Sequence, residues 1–331
     1  MTQTARDGLT DRLINYLRKR PGIYFSWKKI VSGLQVERTA LDDALALAAD
    51  WEYKLRVNRA KGVKFVAAPD LLTSAEILHG LKTKRLGRTV HAYRSVKSTN
   101  DLAARLAEDG APEGVVVTAE EQTKGRGRLG RNWFSPPKTG VYLSIILRPT
   151  FPPEDAPGLS VMTAVALADT LATWRPGKVQ IKWPNDIWIN GRKVAGILTE
   201  LSAERNGINH VIVGVGINVN HRAGDFPEEL RATATSLRRE LRRKADRLEL
   251  VRLFLHNLEQ EYTLYLKYRL KKSLTRVRKY SALLGREVTL QSGHSRRTGV
   301  VKDIDRNGAL ILQTATGLET ITAGEVTVVK K

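Results

Sequence analysis

Cysteine is absent from all 331 residues, which excludes disulfides, thiolate metal sites and cysteine nucleophiles and fits a reducing compartment. Long apolar runs are missing too. The longest, LSVMTAVALADTLATW, is broken by Asp169 and falls short of the ~20 residues that a bilayer-spanning helix needs. No apolar stretch follows the charges of MTQTARDGLT, so the expectation is a cytoplasmic chain with no export signal and no membrane partner. Acidic residues are scarce: 34 Asp and Glu stand against 55 Lys and Arg, a formal charge of +21. Such an excess attracts nucleic acid, but it is spread unevenly. Residues 1–80 carry 13 basic against 9 acidic side chains, residues 81–240 carry 23 against 16, and residues 241–331 carry 19 against 9. A run such as LRRELRRKADR therefore reads first as a solvated face, because like charges repel and seek water. There is no repeat of solenoid period. With 42% hydrophobic residues, the chain can fold as two or three domains.

The pattern changes twice along the chain. Leu9, Leu13, Ile14 and Leu17 have helical spacing, FSWKKIVSGLQ predicts a second helix ending near Gly33, and ERTALDDALALAAD predicts a third. YKLRVNRAKGVKFVAA then alternates like two strands around a turn at Lys61-Gly62. This order is that of a winged helix-turn-helix, whose third helix enters the major groove. From Thr89 onward, strands and helices alternate: GVVVTAEEQ, VYLSIILRP, the helix GLSVMTAVALADTLATW, the strand and turn VQIKWPNDIWIN, KVAGILTEL and NHVIVGVGINVN. Several of these strands are apolar on both faces, which predicts a helix-covered sheet. Residues 247–284 read as two helices. The tail from Arg286 has about five short alternating segments broken by Gly and Asn-Gly turns, the signature of a small β-barrel.

Three stretches carry chemistry. TKGRGRLGRNWFSPP lies between two buried strands, so it is a loop on the face of a sheet. Glycines alternating with arginines let backbone amides approach an anion while guanidinium forks reach it from the side. Trp133 offers a stacking face for a base, and Ser135-Pro136-Pro137 stiffens the exit; the plain alternative is a flexible basic loop. In KWPNDIWINGRKVAGILTE, Pro184 fixes a turn that projects Asn185 and Asp186, and the Asn-Gly turn returns the chain so that Lys193 begins the next strand. A carboxylate and an ammonium can then face one cleft, unless this is only a solvated surface hairpin. Ser98, Thr99 and Asn100 stand just ahead of a helix, where an N-cap followed by Asp101 is expected. Gly214 and Gly216 interrupt an apolar strand, which marks close backbone approach, with Asn218 as a polar handle.

Together STN, GRGRLGRNWFSP, KWPNDIWINGRKVAGIL and GVGINVN resemble the biotin protein ligases, in the same order and at the same spacings. The likeness runs from about Thr10 to the end, and its amino-terminal part matches the two-function class that carries a winged helix-turn-helix. It implies an α/β, mixed-sheet catalytic domain of the biotin/lipoate ligase type at residues 69–282, a winged helix-turn-helix at 1–68 and an SH3-like β-barrel at 283–331. It also implies the activity: biotinyl-5′-AMP is made from biotin and ATP, and biotin passes to a lysine of a biotin carboxyl carrier protein of acetyl-CoA carboxylase or a related carboxylase. By the same resemblance the basic loop is mobile when empty and closes over the acyl-adenylate. Lys193, Arg126 and Arg128 fall to the biotin carboxylate and the phosphate, with Arg131 as a further cation. Trp133 and Asn218 fall to the nucleotide. Ser98, Thr99, Asn100 and Gln122 meet the ureido head, Gly127 and Gly196 lie against the biotin ring, and Asp186 orients and deprotonates the incoming lysine. Magnesium comes with ATP, held through phosphates and waters, with no protein metal ligand assigned.

The amino-terminal segment departs from what a DNA reader needs. Asp42 and Asp43 lie on the third helix, where carboxylates oppose phosphate contact. Lys28, Lys29, Arg38 and the wing residues Arg56, Arg59, Lys61 and Lys64 offset them, so regulated operator binding as a homodimer stays open. Two other readings remain: a lipoate or octanoate ligase, which the intact arginine-glycine loop argues against, and a biotin-sensing DNA-binding regulator without efficient transfer.

Overall fold

The computed structural model describes residues 3–174, 176–204, 207–292, 295–322 and 324–328. The outer ends of the first and last expected segments, residues 1–2 and 329–331, lie outside the described residues. Three helices open the chain, α1 (Gln3–Arg18), α2 (Trp27–Leu34) and α3 (Arg38–Asp50). They share a small core with a three-stranded antiparallel sheet made of β1 (Tyr24–Phe25), β2 (Lys54–Asn58) and β3 (Gly62–Ala67). Leu9, Leu13, Ile14 and Leu17 all point inward, as their spacing predicts. The hairpin turns one step earlier than expected. Asn58 Oδ1 accepts from the amides of Ala60 (3.0 Å) and Lys61 (2.8 Å), while Gly62 already opens β3. Gly62 has φ +99°, and a Cβ there would sit 1.9 Å from the Phe25 carbonyl oxygen.

After α4 (Ser74–Leu78) comes the large mixed sheet, in the spatial order β4-β5-β6-β10-β9-β8-β7. Its strands are β4 (Val90–Val96), β5 (Val116–Gln122), β6 (Gly140–Leu147), β7 (Val179–Lys182), β8 (Asp186–Ile189), β9 (Arg192–Glu204) and β10 (Gly207–Asn218). Only the β4–β5 pair is parallel. VQIKWPNDIWIN thus supplies two strands, where the sequence suggests one strand and a turn, because Pro184 reverses the chain through a cis Trp183–Pro184 bond. Helices α6 (Gly158–Thr173) and α9 (Arg247–Tyr268) cover one face and α5 (Thr99–Glu108) covers part of the other. The stretch Pro153–Thr173 has the length and apolarity of a membrane span, but 72% of its apolar window is buried inside the fold.

The period of two explains which face does what. In β10, Val211, Val213, Val215 and Ile217 join the core under α6 and α9, whereas Ile212 packs under α5 and Gly214, Gly216 and Asn218 follow it on that second face. The second face is therefore apolar only where a helix lies on it, and is stripped to glycine beyond. Short helices α7 (Glu228–Arg231) and α8 (Leu237–Leu241) precede α9, and α10 (Leu274–Tyr280) follows it. The chain ends in a five-stranded antiparallel sheet of β11 (Glu287–Ser292), β12 (Ser295–Ile304), β13 (Leu310–Thr314), β14 (Gly317–Ile321) and β15 (Glu325–Val328), ordered β14-β13-β12-β11-β15.

One buried ion pair ties these parts together. Arg247, fully buried at the start of α9, donates to Glu120 Oε2 of β5 (2.8 Å), to the Gly140 carbonyl of β6 (3.1 Å) and to the Asp70 carbonyl (2.6 Å). Glu120 also accepts the Leu72 amide at 2.6 Å. Nearby, Glu52, just after α3, pairs with Arg94 of β4 (3.0 Å) and Lys138 (2.7 Å). Removing one member of a buried pair strands the other charge, so Arg247→Met should cost about 3–5 kcal/mol. Urea unfolding would read this, and adding Glu120→Gln to Arg247→Met should recover part of the loss. Equal stability of the parent and Arg247→Met would contradict the assignment.

Candidate functional site

The helix-free part of the second face is floored by glycine. Gly196 of β9 and Gly216 of β10 are register partners, and Gly214 stands two residues away. A Cβ at Gly214 would lie 2.0 Å from Asn100 Oδ1; one at Gly216 would lie 2.3 Å from Trp133 Nε1, and one at Gly196 3.0 Å from Trp133 Cζ3. The close approach expected of these glycines is thus realised, with Asn100 and the Trp133 indole as the groups that approach.

Polar groups crowd one edge of this floor. The expected N-cap is Ser98, with Asp101 in the first turn of a helix that begins at Thr99, although the Ser98 side chain makes no cap bond. Its neighbours point elsewhere. The Thr99 amide and Oγ1 both reach Gln122 Oε1 (2.9 and 3.1 Å), and Gln122 Nε2 donates to Ser135 Oγ at 3.0 Å. Ser144 Oγ lies 2.8 Å from Thr99 Oγ1 and 2.6 Å from Asn100 Oδ1. Ser144 is missing from the sequence reading, although a lone serine inside VYLSIILRP, at the centre of an apolar strand, is a detectable signal. Ser98, Thr99, Asn100 and Gln122 border a small cavity of about 50 Å³.

The basic loop is a tight hairpin over the same floor. The Gln122 amide reaches the Ser135 carbonyl (3.2 Å), the Trp133 amide the Gly125 carbonyl (2.9 Å) and the Gly127 amide the Arg131 carbonyl (2.6 Å). Its tip carries Leu129 (φ +56°, 74% exposed) and Gly130 (φ +72°). Arg128 donates to Asn185 Oδ1 (2.9 Å) and to the Gly324 carbonyl (3.2 Å), so the carboxyl-terminal sheet reaches the loop. Its participation carries no sequence signal. Arg126 borders the small cavity. Its guanidinium is held by Asp101 and Glu200, two carboxylates the sequence reading leaves out of the site.

On the β8–β9 hairpin, Asn190 (φ +50°) and Gly191 (φ +79°) make the left-handed turn that Asn-Gly favours. Lys193 Nζ comes within 2.7 Å of Asp186 Oδ1, an ion pair too bent for a well-directed hydrogen bond, and 5.3 Å from the Trp133 ring centroid. Lys182 stands over the Trp188 ring at 5.1 Å. Asn185 Nδ2 donates to the Ile197 carbonyl (3.0 Å), pinning the Pro184 turn to β9. Beyond this hairpin opens a second, larger cleft of about 810 Å³, walled by Arg131, Asn218, Phe226 and the carboxyl-terminal residues Arg286, Val326 and Val328 among others. Gly127, Arg128, Trp133, Asn185 and Lys193 line both cavities. The Nε1 atoms of Trp133 and Trp188, both bordering the cleft, are buried and lack a hydrogen-bond partner in the described structure.

In the amino-terminal part, Lys28, Lys29, Arg59 and Lys61 are exposed. Arg38 is less available: it pairs with Asp42 at 3.3 Å and lies 3.3 Å from the Trp27 ring centroid.

Residues 92–218 match the family model described as "Biotin/lipoate A/B protein ligase family", and residues 283–329 match "Biotin protein ligase C terminal domain". The bifunctional ligase/repressor BirA of Bacillus subtilis is 34% identical over 321 residues, covering 97% of this chain and 99% of that one. The biotin–[acetyl-CoA-carboxylase] ligase of Mycobacterium tuberculosis is 34% identical over 245 residues, covering 72% and 88% of the two chains. Among solved structures, the biotin protein ligase of Aquifex aeolicus in complex with biotin and ATP superposes with a TM-score of 0.64 at 30% identity, over 74% of this chain and all of that one.

His221 lies beside the loop exit, stacked on Phe226 (5.0 Å), 6.1 Å from the Phe134 ring and 3.2 Å from Thr139 Oγ1. Burial pushes its pKa down to about 4. Between that value and the ordinary 6.5 the unfolded chain binds the proton and the folded one does not, so the contribution is complete above pH 6.5 and lost on the way down to 4. Its size is on the order of 3 kcal/mol. His221→Gln should remove that part of the slope of stability against pH, read from urea midpoints at pH 4.5, 5.5 and 7. An unchanged slope would contradict the placement.

Proposed function

The chain belongs to the biotin/lipoate A/B protein ligase family, and from that premise we propose how its residues divide the work of an ATP-dependent biotin protein ligase. In the first half-reaction a carboxylate oxygen of biotin attacks the α-phosphorus of ATP, the bond to pyrophosphate breaks, and biotinyl-5′-AMP forms. In the second, an acceptor lysine amine attacks the acyl carbon, loses a proton and expels AMP. Negative charge gathers on phosphoryl and carbonyl oxygens in both, so fixed cations are the main requirement.

The observation that carries the assignment is Lys193 at the junction of the two cavities. A biotin ring seated on the Gly196–Gly216 floor has its ureido head among Ser98, Thr99, Asn100 and Gln122, neutral groups suited to a neutral ring system. Its carboxylate then emerges at Lys193 and Arg128, and the nucleotide occupies the larger cleft with Arg131, Trp133 and Asn218. Asp186 orients Lys193 in the empty site. Once Lys193 turns to the phosphate, that carboxylate is released to receive the proton of the acceptor lysine, an amine ordinarily protonated up to about pH 10. Among the described residues no cluster of metal-ligating side chains is present, so a magnesium ion arriving with ATP would be held through phosphate oxygens and water. The acceptor on this reading is the biotin carboxyl carrier protein of acetyl-CoA carboxylase or a related carboxylase; the name of the Mycobacterium relative, which gives acetyl-CoA-carboxylase, supports it.

The finer architecture fits a two-function protein. We read residues 1–68 as a winged helix-turn-helix, 69–282 as the catalytic domain and 283–331 as an SH3-like barrel, with homodimers presenting two operator readers. Support comes from the three helices with their β2–β3 wing, and from the BirA relative that spans nearly the whole chain. Asp42 is partly neutralised by Arg38, which lowers its cost next to phosphates and removes Arg38 from the pool of contacts.

Incubation with ATP, biotin and an acceptor domain, followed by avidin detection, tests the activity, with lipoate as the competing substrate. Lys193→Ala should lower adenylate formation by about 10²-fold or more, the scale of losing a donor to developing charge, while leaving the unfolding midpoint in place. Near-normal pyrophosphate release would sink its role. Arg128→Gly should let the adenylate escape and label lysines indiscriminately; a fully specific variant contradicts retention by the loop. Operator fragments from biotin-synthesis genes should bind more tightly with biotin and ATP present, and Asp42→Asn with Asp43→Asn should strengthen binding further. Binding indifferent to the ligand would leave the ligase without the repressor.

A further inference from the structure

Arg126 has the sequence position of a phosphate cation and the surroundings of something else. Its Nη2 lies 2.6 Å from Asp101 Oδ1 and 2.9 and 3.0 Å from the two oxygens of Glu200. Two carboxylates on one guanidinium leave a net negative cluster, which repels a triphosphate. Arg126 also borders only the smaller cavity, whereas Arg128 and Lys193 border both. Glu200 has a second duty, since its Oε2 accepts from Asn100 Nδ2 at 2.5 Å. Asp101–Arg126–Glu200–Asn100 is thus a continuous chain joining the first turn of α5, the base of the loop and β9.

The backbone gives the chain a purpose. Ladder bonds from the Gly127 amide to Arg131 and from the Trp133 amide to Gly125 flank the Arg126–Asn132 bridge, so Arg126 belongs to a non-hydrogen-bonded pair. In such a pair the residue's own N–H and C=O turn away from the opposite strand. At Arg126 they therefore stand outside the hairpin's own ladder, in a residue that borders the smaller cavity.

We propose that Asp101 and Glu200 are positioning residues for biotin. They clamp the Arg126 side chain, which fixes the base of the loop and the Asn100 amide at the ureido end. Arg126 is then an anchor, not a cation of the phosphoryl step. The inference rests on the biotin ligase reading.

The test uses the full chain with Asp101→Asn, Glu200→Gln, both together, Arg126→Gln and the triple variant, following adenylate formation by pyrophosphate release. The paired-carboxylate variant should raise KM for biotin about three- to tenfold, as expected for charged contacts that are partly exposed, with KM for ATP within about twofold and kcat at saturating biotin near the parent value. Arg126→Gln should show the same biotin-side defect, and the triple variant should be no worse. Asp101→Glu should retain most of the parent's affinity. The proposal falls if Arg126→Gln acts mainly on KM for ATP or on kcat, if the defects of the carboxylates and the arginine add in full, or if freeing Arg126 with Asp101→Asn lowers KM for ATP. A parent that forms no adenylate with biotin would overturn the ligase reading and this one with it; an active parent with any of those three patterns overturns this one alone.

Discussion

A guanidinium cannot be sealed from water unless every donor on it is answered or its charge is balanced. At Arg247 the answer is shared by a strand carboxylate, the first residue of the next strand and the segment leading out of the amino-terminal part. Glu120, which balances the charge, lies two residues before Gln122 on β5, so the strand that brings this amide to the smaller cavity is set by this pair. Gly140, the other contact, is where the basic loop rejoins the sheet. Both stems of the loop are therefore fixed from beneath by one buried charge.

Above that foundation the sheet separates stability from binding by parity. The residues of β10 that face α6 and α9 are Val and Ile throughout, and the alternate residues fade from Ile212 to glycine and asparagine as α5 ends and the site begins. Leaving side chains off the second face removes apolar burial that would otherwise stabilise the sheet. The loss is tolerable because the first face is packed along its whole length.

Much of this was legible in the sequence because it rests on local rules. Asn190-Gly191 dictates a left-handed turn, Gly214 and Gly216 announce close approach, and the order of the motifs announces the family. What stayed hidden depends on contacts between distant residues. Asp101 reads as a first-turn acid of a helix and Glu200 merely closes the KWPNDIWINGRKVAGILTE stretch; only folding brings them to one arginine. The same holds for Gly324, whose carbonyl meets Arg128 across 196 positions of chain. Ser98 holds the cap position that its residue type suggests, while the bonds its neighbours make depend on strands far along the chain.

Trp133 lies across the floor where the biotin ring is proposed to sit, held by contact with Gly196 and Gly216 and by the neighbouring Lys193. A half-buried indole rests there. If biotin takes that place, as proposed, binding exchanges one ring for another, and the affinity measured from solution would be the intrinsic affinity scaled by the fraction of molecules with the indole withdrawn. A substitution that touches neither biotin nor ATP, and only changes how well Trp133 rests on the glycines, would shift the apparent affinity for biotin. Ligand concentration and occupancy would be recalibrated from the empty state.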